Sequence, residues 1–122
     1  MSVLLDTHIL LWILTHSPKL KKITWLDTGL PWHLSPISFL EMKFLQECGR
    51  IQIDFEKIVS NLKKDNRFII DDPSLDALCE KAFLLGWTRD PFDRLLVAHS
   101  MVRHLPLGTC DGHIREHYSH IF

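Results

Sequence analysis

Four short apolar runs, each followed by a helical pattern, constrain the fold of this chain more than any other feature. Val3-Leu4-Leu5 is an unbroken apolar run that ends in Asp6-Thr7, and a helix-like stretch from His8 to Leu14 follows at once. His33 to Ser38 is a second run, Phe68-Ile69-Ile70 within Arg67 to Asp71 a third, and Leu105 to Thr109 a fourth. Short runs without polar alternation describe strands covered on both faces. Between them lie helical patterns. Lys19 to Leu26 follows Pro18 and is closed by Thr28-Gly29 and Pro31. A second pattern starts at Ser38, with Gly49 as its C-cap after Cys48, and a third carries the stripe Phe55, Ile58, Val59, Leu62. Asp72-Pro73 suits N-cap and first position of a helix with the stripe Leu75, Leu78, Cys79, Ala82, Leu85, ended by Gly86. Asp93 opens another, with Leu95, Ala98, Val102 and Leu105 on one side; a short helix around His113 to His117 and a fifth edge strand at Ile121-Phe122 complete the chain. Alternating strands and helices imply parallel pairing, because parallel neighbours need a crossover, and the crossovers cover both sheet faces. The prediction is a three-layer α/β/α fold on a parallel sheet of about five strands.

The chain has 122 residues without a linker-like segment, which reads as one domain, 1–122. Three widely spaced cysteines, Cys48, Cys79 and Cys110, lack any CxxC pairing, as expected of reduced thiols in a cytoplasmic protein. The apolar run Ile9 to Leu14 is far short of a membrane span, and Asp6 interrupts the N-terminal stretch before a secretory signal could form. Lys and Arg number 14 against 15 Asp and Glu, so no broad basic field draws in nucleic acid, and any such contact is local. Lys19, Lys21, Lys22 and Lys63, Lys64, Arg67 are the available patches.

In an open parallel sheet, ligands bind beyond the carboxyl ends of the strands. Asp6 and Asp111 fall there. Both, and Asp93, also read as helix N-caps. Glu41 differs: helical spacing sets it with Ile37, Phe44, Leu45 and Cys48 on a stripe expected to face the core, where a carboxylate needs a partner and no Lys or Arg supplies one. Were the four carboxylates to converge, their repulsion would raise several pKa values unless a divalent cation compensated. All-oxygen ligation favours Mg²⁺ or Mn²⁺, and such an ion suits phosphodiester hydrolysis. His113 and His117 lie four apart with His120 nearby, but they lack the Glu placement and distant third ligand of a zinc protease and read as solvated residues. The four tryptophans read as core or interface, with Trp25 and Trp32 as the interface pair.

Several stretches together resemble one family: Leu4-Leu5-Asp6-Thr7-His8; Ser35-Pro36-Ile37-Ser38 with Glu41 and Gly49-Arg50; Arg89-Asp90-Pro91-Phe92-Asp93-Arg94-Leu95-Leu96-Val97-Ala98; and Thr109-Cys110-Asp111. In this order, spanning essentially the whole chain, they are similar to PIN domains, and most of all to VapC-type toxins of bacterial toxin-antitoxin systems. The Arg-Asp-Pro-Phe-Asp-Arg stretch is the most specific piece. The resemblance implies that Asp6, Glu41, Asp93 and Asp111 are the metal-binding catalytic acids, with Thr109 and Ser38 as supporting polar residues and Asp90 as an outer acid. It further implies strand order 3-2-1-4-5, Mg²⁺ or Mn²⁺ dependence, endonucleolytic cleavage of RNA, homodimerisation and neutralisation by a cognate antitoxin. Departures are modest: Leu40 precedes the Glu where the family often has Trp, and His99 and Gly108 replace commoner residues. Within the set, Asp6 and Glu41 are expected as metal ligands, Asp93 as ligand or water-positioning base, and Asp111 as the member acting through water. The alternative is a PIN-like domain that binds RNA or protein without catalysis. A phospho-accepting receiver does not fit, because Asp71-Asp72 come late and no Lys follows the strand that would carry it.

Overall fold

Val3, Leu4 and Leu5 are each 0% exposed, so the first apolar run is covered on both faces, as its unbroken pattern requires. The structure, a computed structural model, describes residues 2–122. That first run is strand β1 (Val3–Leu5), followed by α1 (Thr7–Leu14), β2 (Trp32–Leu34), α2 (Pro36–Glu47), α3 (Phe55–Lys64), β3 (Phe68–Ile70), α4 (Leu75–Ala82), α5 (Pro91–Arg103), β4 (Leu107–Gly108) and α6 (Gly112–His117). The strands form one parallel sheet in the order β3-β2-β1-β4. The expected fifth strand is a single parallel bridge, Ile121 opposite Leu107, held by Leu107 N–H to the His120 carbonyl and Phe122 N–H to the Leu107 carbonyl, both 2.9 Å. Ile121-Phe122 thus takes the place of the fifth strand without the length to be one.

Period-two alternation divides the core. Val3 and Leu5 join Ile9, Leu10, Trp32, Leu34, Met42 and Leu62 on one face of the sheet, while Leu4 joins Leu78, Leu96, Val97, Leu107 and Ile114 on the other. Helices therefore lie on both sides, giving the expected three layers.

Several boundaries depart from expectation for local reasons. Lys19 to Leu26 is not a helix: Ser17 caps a 3₁₀ turn at Pro18–Lys22, and a second such turn covers Asp27–Gly29. β2 stops at Leu34, because Ser35 accepts from Ile37 N–H and starts α2 with Pro36 at its first turn. Ser74, not Asp72, caps α4, and Leu75 is 66% exposed rather than part of a buried stripe. Gly49 does close α2, at φ +74, where an L side chain would be strained. Trp32 is 4% exposed with its indole N–H donating to the Leu26 carbonyl, and Trp25 packs on Phe122 with ring centroids 5.1 Å apart. Trp32 therefore belongs to the interior, while Trp25 is partly exposed at the margin of the core.

His99, fully buried on α5, sets the depth of the second face. Its Nε2 lies 2.7 Å from Asp71 Oδ2 at the end of β3, and Arg103 Nε donates to the same oxygen at 2.9 Å. Burial lowers the His99 pKa, so the ring is neutral and donates to the carboxylate. Burial would raise Asp71, but its bonds to His99 and Arg103 outweigh that and hold it below the usual value. Among the described residues no helix is long and apolar enough to cross a membrane.

Candidate active site

Parallel pairing brings all carboxyl ends of the strands to one edge, and β1 lies between β2 and β4, so the chain's direction across the sheet reverses at β1 and β4. Asp6 follows β1 at that point and caps α1, its Oδ1 accepting from Ile9 N–H at 2.9 Å. Its other oxygen accepts from the Thr109 hydroxyl. Thr109, 1% exposed at the end of β4, accepts from Asp111 N–H at 3.0 Å, and Asp111 caps α6 through Ile114 N–H at 3.0 Å. One buried hydroxyl thus ties together two acids 105 positions apart in sequence.

Glu41 is half-buried at the margin of the core, not inside it. The buried face of α2 is Ser38, Met42 and Leu45; Phe44 is 46% exposed and Cys48 is exposed, because the other side of α2 turns toward α5, where Phe44 meets Phe92 at 5.5 Å. Glu41 has the Thr7 side chain nearby, which favours its ionised form against burial. Ser38 Oγ lies 3.0 Å from Thr7 Oγ1. The Thr7 hydroxyl donates to Ser38 Oγ, which fixes Thr7 beside the carboxylate.

Asp93 is not a cap. Asp90 takes that position, accepting from Phe92 N–H at 2.8 Å and Asp93 N–H at 3.3 Å, which leaves the Asp93 side chain free within the first turn of α5. Thr88, also missed, fixes this corner: its hydroxyl accepts from Asp90 N–H at 3.2 Å and its carbonyl from Arg94 Nε at 2.7 Å. A threonine two residues before an aspartate is a recognised turn signal and could have been read.

The electrostatics follow from convergence. Burial, then the charges of Asp90, Asp111, Glu41 and Asp6, push the Asp93 pKa up to about 7. Burial also raises Asp6, against the Thr109 bond, and raises Glu41, against Thr7 and a charge on His8. The four sequence-predicted acids, with Asp90 beside them, thus influence one another at one edge of the sheet, supported by Thr109 and Ser38. A set of oxygens that are desolvated and mutually repelling fits a hard divalent cation. A cleft of about 160 Å³ opens beside Asp6 and Asp111, walled by His8, Trp12 and Cys110. A larger cavity, about 550 Å³, lies instead between α4 and the end of α5 and contains none of these acids; the chemistry of the donors, not cavity size, locates the site.

A PIN domain family model matches residues 3–119. The chain belongs to the PIN domain family. Members of this family are in general nucleases that use divalent metals. The fold of this PIN domain also matches a solved toxin-antitoxin complex from Klebsiella pneumoniae at TM-score 0.72 and 18% identity, covering 99% of this chain and 96% of that one. Among curated proteins, none matches.

The raised acids of this PIN domain carry a stability signature. Asp93 ionises at 3.8 when unfolded and at about 7 when folded, so the folded state holds the proton more tightly. Its contribution is full below the unfolded value and is lost as pH rises through about 7. Without metal, the melting temperature of Asp93→Asn is therefore expected to exceed that of the unsubstituted protein at pH 8. The gap should narrow toward pH 5 and close only near the unfolded value of 3.8, as thermal melts in chelator will show.

Proposed function

We propose that this PIN domain is a metal-dependent endoribonuclease and the toxin of a toxin-antitoxin pair. The observation that carries the reading is the convergence of four carboxylates from separate elements on one edge of the sheet, with burial raising Asp6, Glu41 and Asp93 and the charges of neighbouring acids adding to the rise at Glu41 and Asp93. Asp6, Glu41, Asp93 and Asp111 would hold Mg²⁺ or Mn²⁺, which when bound polarises the phosphodiester and favours loss of a proton from water. Thr109 orients Asp6, and the Thr7–Ser38 pair orients Glu41. Asp93, released from capping in the first turn of α5, acts as a ligand or positions the attacking water. Trp12 and His8 wall the adjacent cleft, where an unpaired base could stack, in keeping with recognition by local shape rather than a basic surface.

The toxin assignment is supported by the end-to-end match to a chain from a toxin-antitoxin complex. Exposed apolar side chains at Leu40, Phe44, Leu75, Phe83 and Leu84 suit burial by an antitoxin or by a second copy in a homodimer.

Purified protein with Mn²⁺ or Mg²⁺ is expected to cleave structured RNA, to lose that activity in chelator, and to slow growth when expressed without an antitoxin in a bacterial host. RNA bound but left uncut with either ion would favour the non-catalytic reading. Harmless expression of soluble, metal-competent protein would count against the toxin.

A further inference from the structure

One cluster of ligating side chains lies outside the acidic site. His113, Glu116 and His117 on α6 each bring a ligating atom within 4.8 Å of the others, and all three are exposed. His113 and His117 read as solvated residues in the sequence; in the structure Glu116 joins them and the rings are held in place. His113 Nε2 lies 2.8 Å from the Trp87 carbonyl, and His117 Nδ1 lies 2.9 Å from the His113 carbonyl. A carbonyl can only accept, so in the neutral rings these nitrogens carry the protons. Nδ1 of His113 and Nε2 of His117 are left with lone pairs. Metal-binding histidines are typically oriented this way, by donating the other ring N–H to a carbonyl or carboxylate. The Trp87 indole holds the rings further, stacking on His117 at 5.0 Å and 7° and meeting His113 at 5.4 Å.

We propose that His113, Glu116 and His117 form a second cation site, selective for a borderline divalent ion of the Zn²⁺ class, with water completing the coordination. Two imidazole nitrogens and one carboxylate oxygen favour such an ion over Mg²⁺ or Mn²⁺, which prefer all-oxygen donors. A tetrahedral ion at about 2.0–2.1 Å from each donor needs them roughly 3.3 Å apart, so the cluster tightens on binding. The exposed Glu116 side chain has the freedom to close that gap. All three donors lie on α6, so occupancy would fix rings that already pack on Trp87, just ahead of α5. The proposal does not depend on nuclease activity.

Metal-free full-length protein titrated with Co²⁺, a spectroscopic stand-in for Zn²⁺, tests this. The expected result is a tetrahedral visible band that saturates at one equivalent in the micromolar range, yields to Zn²⁺, and persists in excess Mg²⁺ and in Asp6→Asn. Apparent affinity should fall at least tenfold in the His113→Ala, His117→Ala double variant and also fall in Glu116→Gln. Because all three side chains are exposed, circular dichroism of these variants should be unchanged, and Glu116→Gln keeps the test valid if the double variant misfolds. The proposal is overturned by no band at micromolar Co²⁺, by a band abolished in Asp6→Asn or by Mg²⁺, or by unchanged affinity in folded variants.

Discussion

Asp6→Asn is expected to abolish metal-dependent RNA cleavage while leaving the protein folded. The two halves of this result have separate causes. Asp6 is 4% exposed at the strand reversal and is the most buried of the four acids. Replacing its charge with an amide removes one of the four proposed ligands. Loss of several kcal/mol of transition-state stabilisation, at 1.36 kcal/mol per tenfold, corresponds to roughly 10²–10³-fold or more in kcat/KM. Stability should barely change, because asparagine caps a helix about as well as aspartate and can still accept from Ile9 N–H. The Thr109 hydroxyl can rotate to accept from the new amide while keeping its bond from Asp111 N–H. Removing one charge also relieves repulsion on Glu41 and Asp93. Melting curves with and without Mg²⁺ separate the effects: the unsubstituted protein should gain about 2.7 kcal/mol at 100 times the Kd, and Asp6→Asn should gain little. Cleavage that survives in Asp6→Asn would remove the basis for the mechanism.

Gly108→Ala should give the largest stability loss of any single-methyl change. A Cβ at Gly108 would sit 2.5 Å from Trp25 Cη2 and 2.9 Å from Val3 Cγ2. Neither neighbour can easily withdraw. Val3 is fully buried in β1, and Trp25 is a rigid ring already packed on Phe122. Overpacking of this kind costs typically about 1–3 kcal/mol. For a chain of this size, each kcal/mol lowers the melting temperature by roughly 3–5 °C. The damage should spread to the site, because Gly108 accepts from Asp6 N–H at 3.0 Å and immediately precedes Thr109. Activity is therefore expected to fall along with stability, in contrast to Asp6→Asn; a melt showing no change would refute the packing argument.

Much of the architecture was legible because it rests on short-range rules. The unbroken Val3-Leu4-Leu5 run implied a doubly covered strand, and alternation of runs with helical stripes implied parallel pairing and three layers. Gly49 announced the end of α2. The candidate acids were also legible, but for mixed reasons. Asp6 and Asp111 do cap helices as sequence suggested, so their bland role is real and coexists with the proposed one. Glu41 was singled out by placing it on a core stripe it does not occupy; the pattern Ile37, Phe44, Cys48 is apolar because it faces α5 and solvent-exposed surface, which periodicity along one helix cannot distinguish from the core. Asp93 fits a cap by local pattern alone, but Asp90, three residues earlier, holds that position.

The sequence by itself determined the order of elements, the identity of the acidic side chains and their membership in a PIN-like series, since these depend on local periodicity, caps and motif order. Only the tertiary structure decided what those acids experience. Thr109 bonding Asp6, Thr7 lying beside Glu41, and the burial of Asp93 with the charges of Asp111, Glu41 and Asp6 upon it all come from folding, and only the charge of Asp90 on Asp93 is local. The reason is physical: a pKa depends on burial and on the charges that folding brings near, and separation along the chain encodes neither.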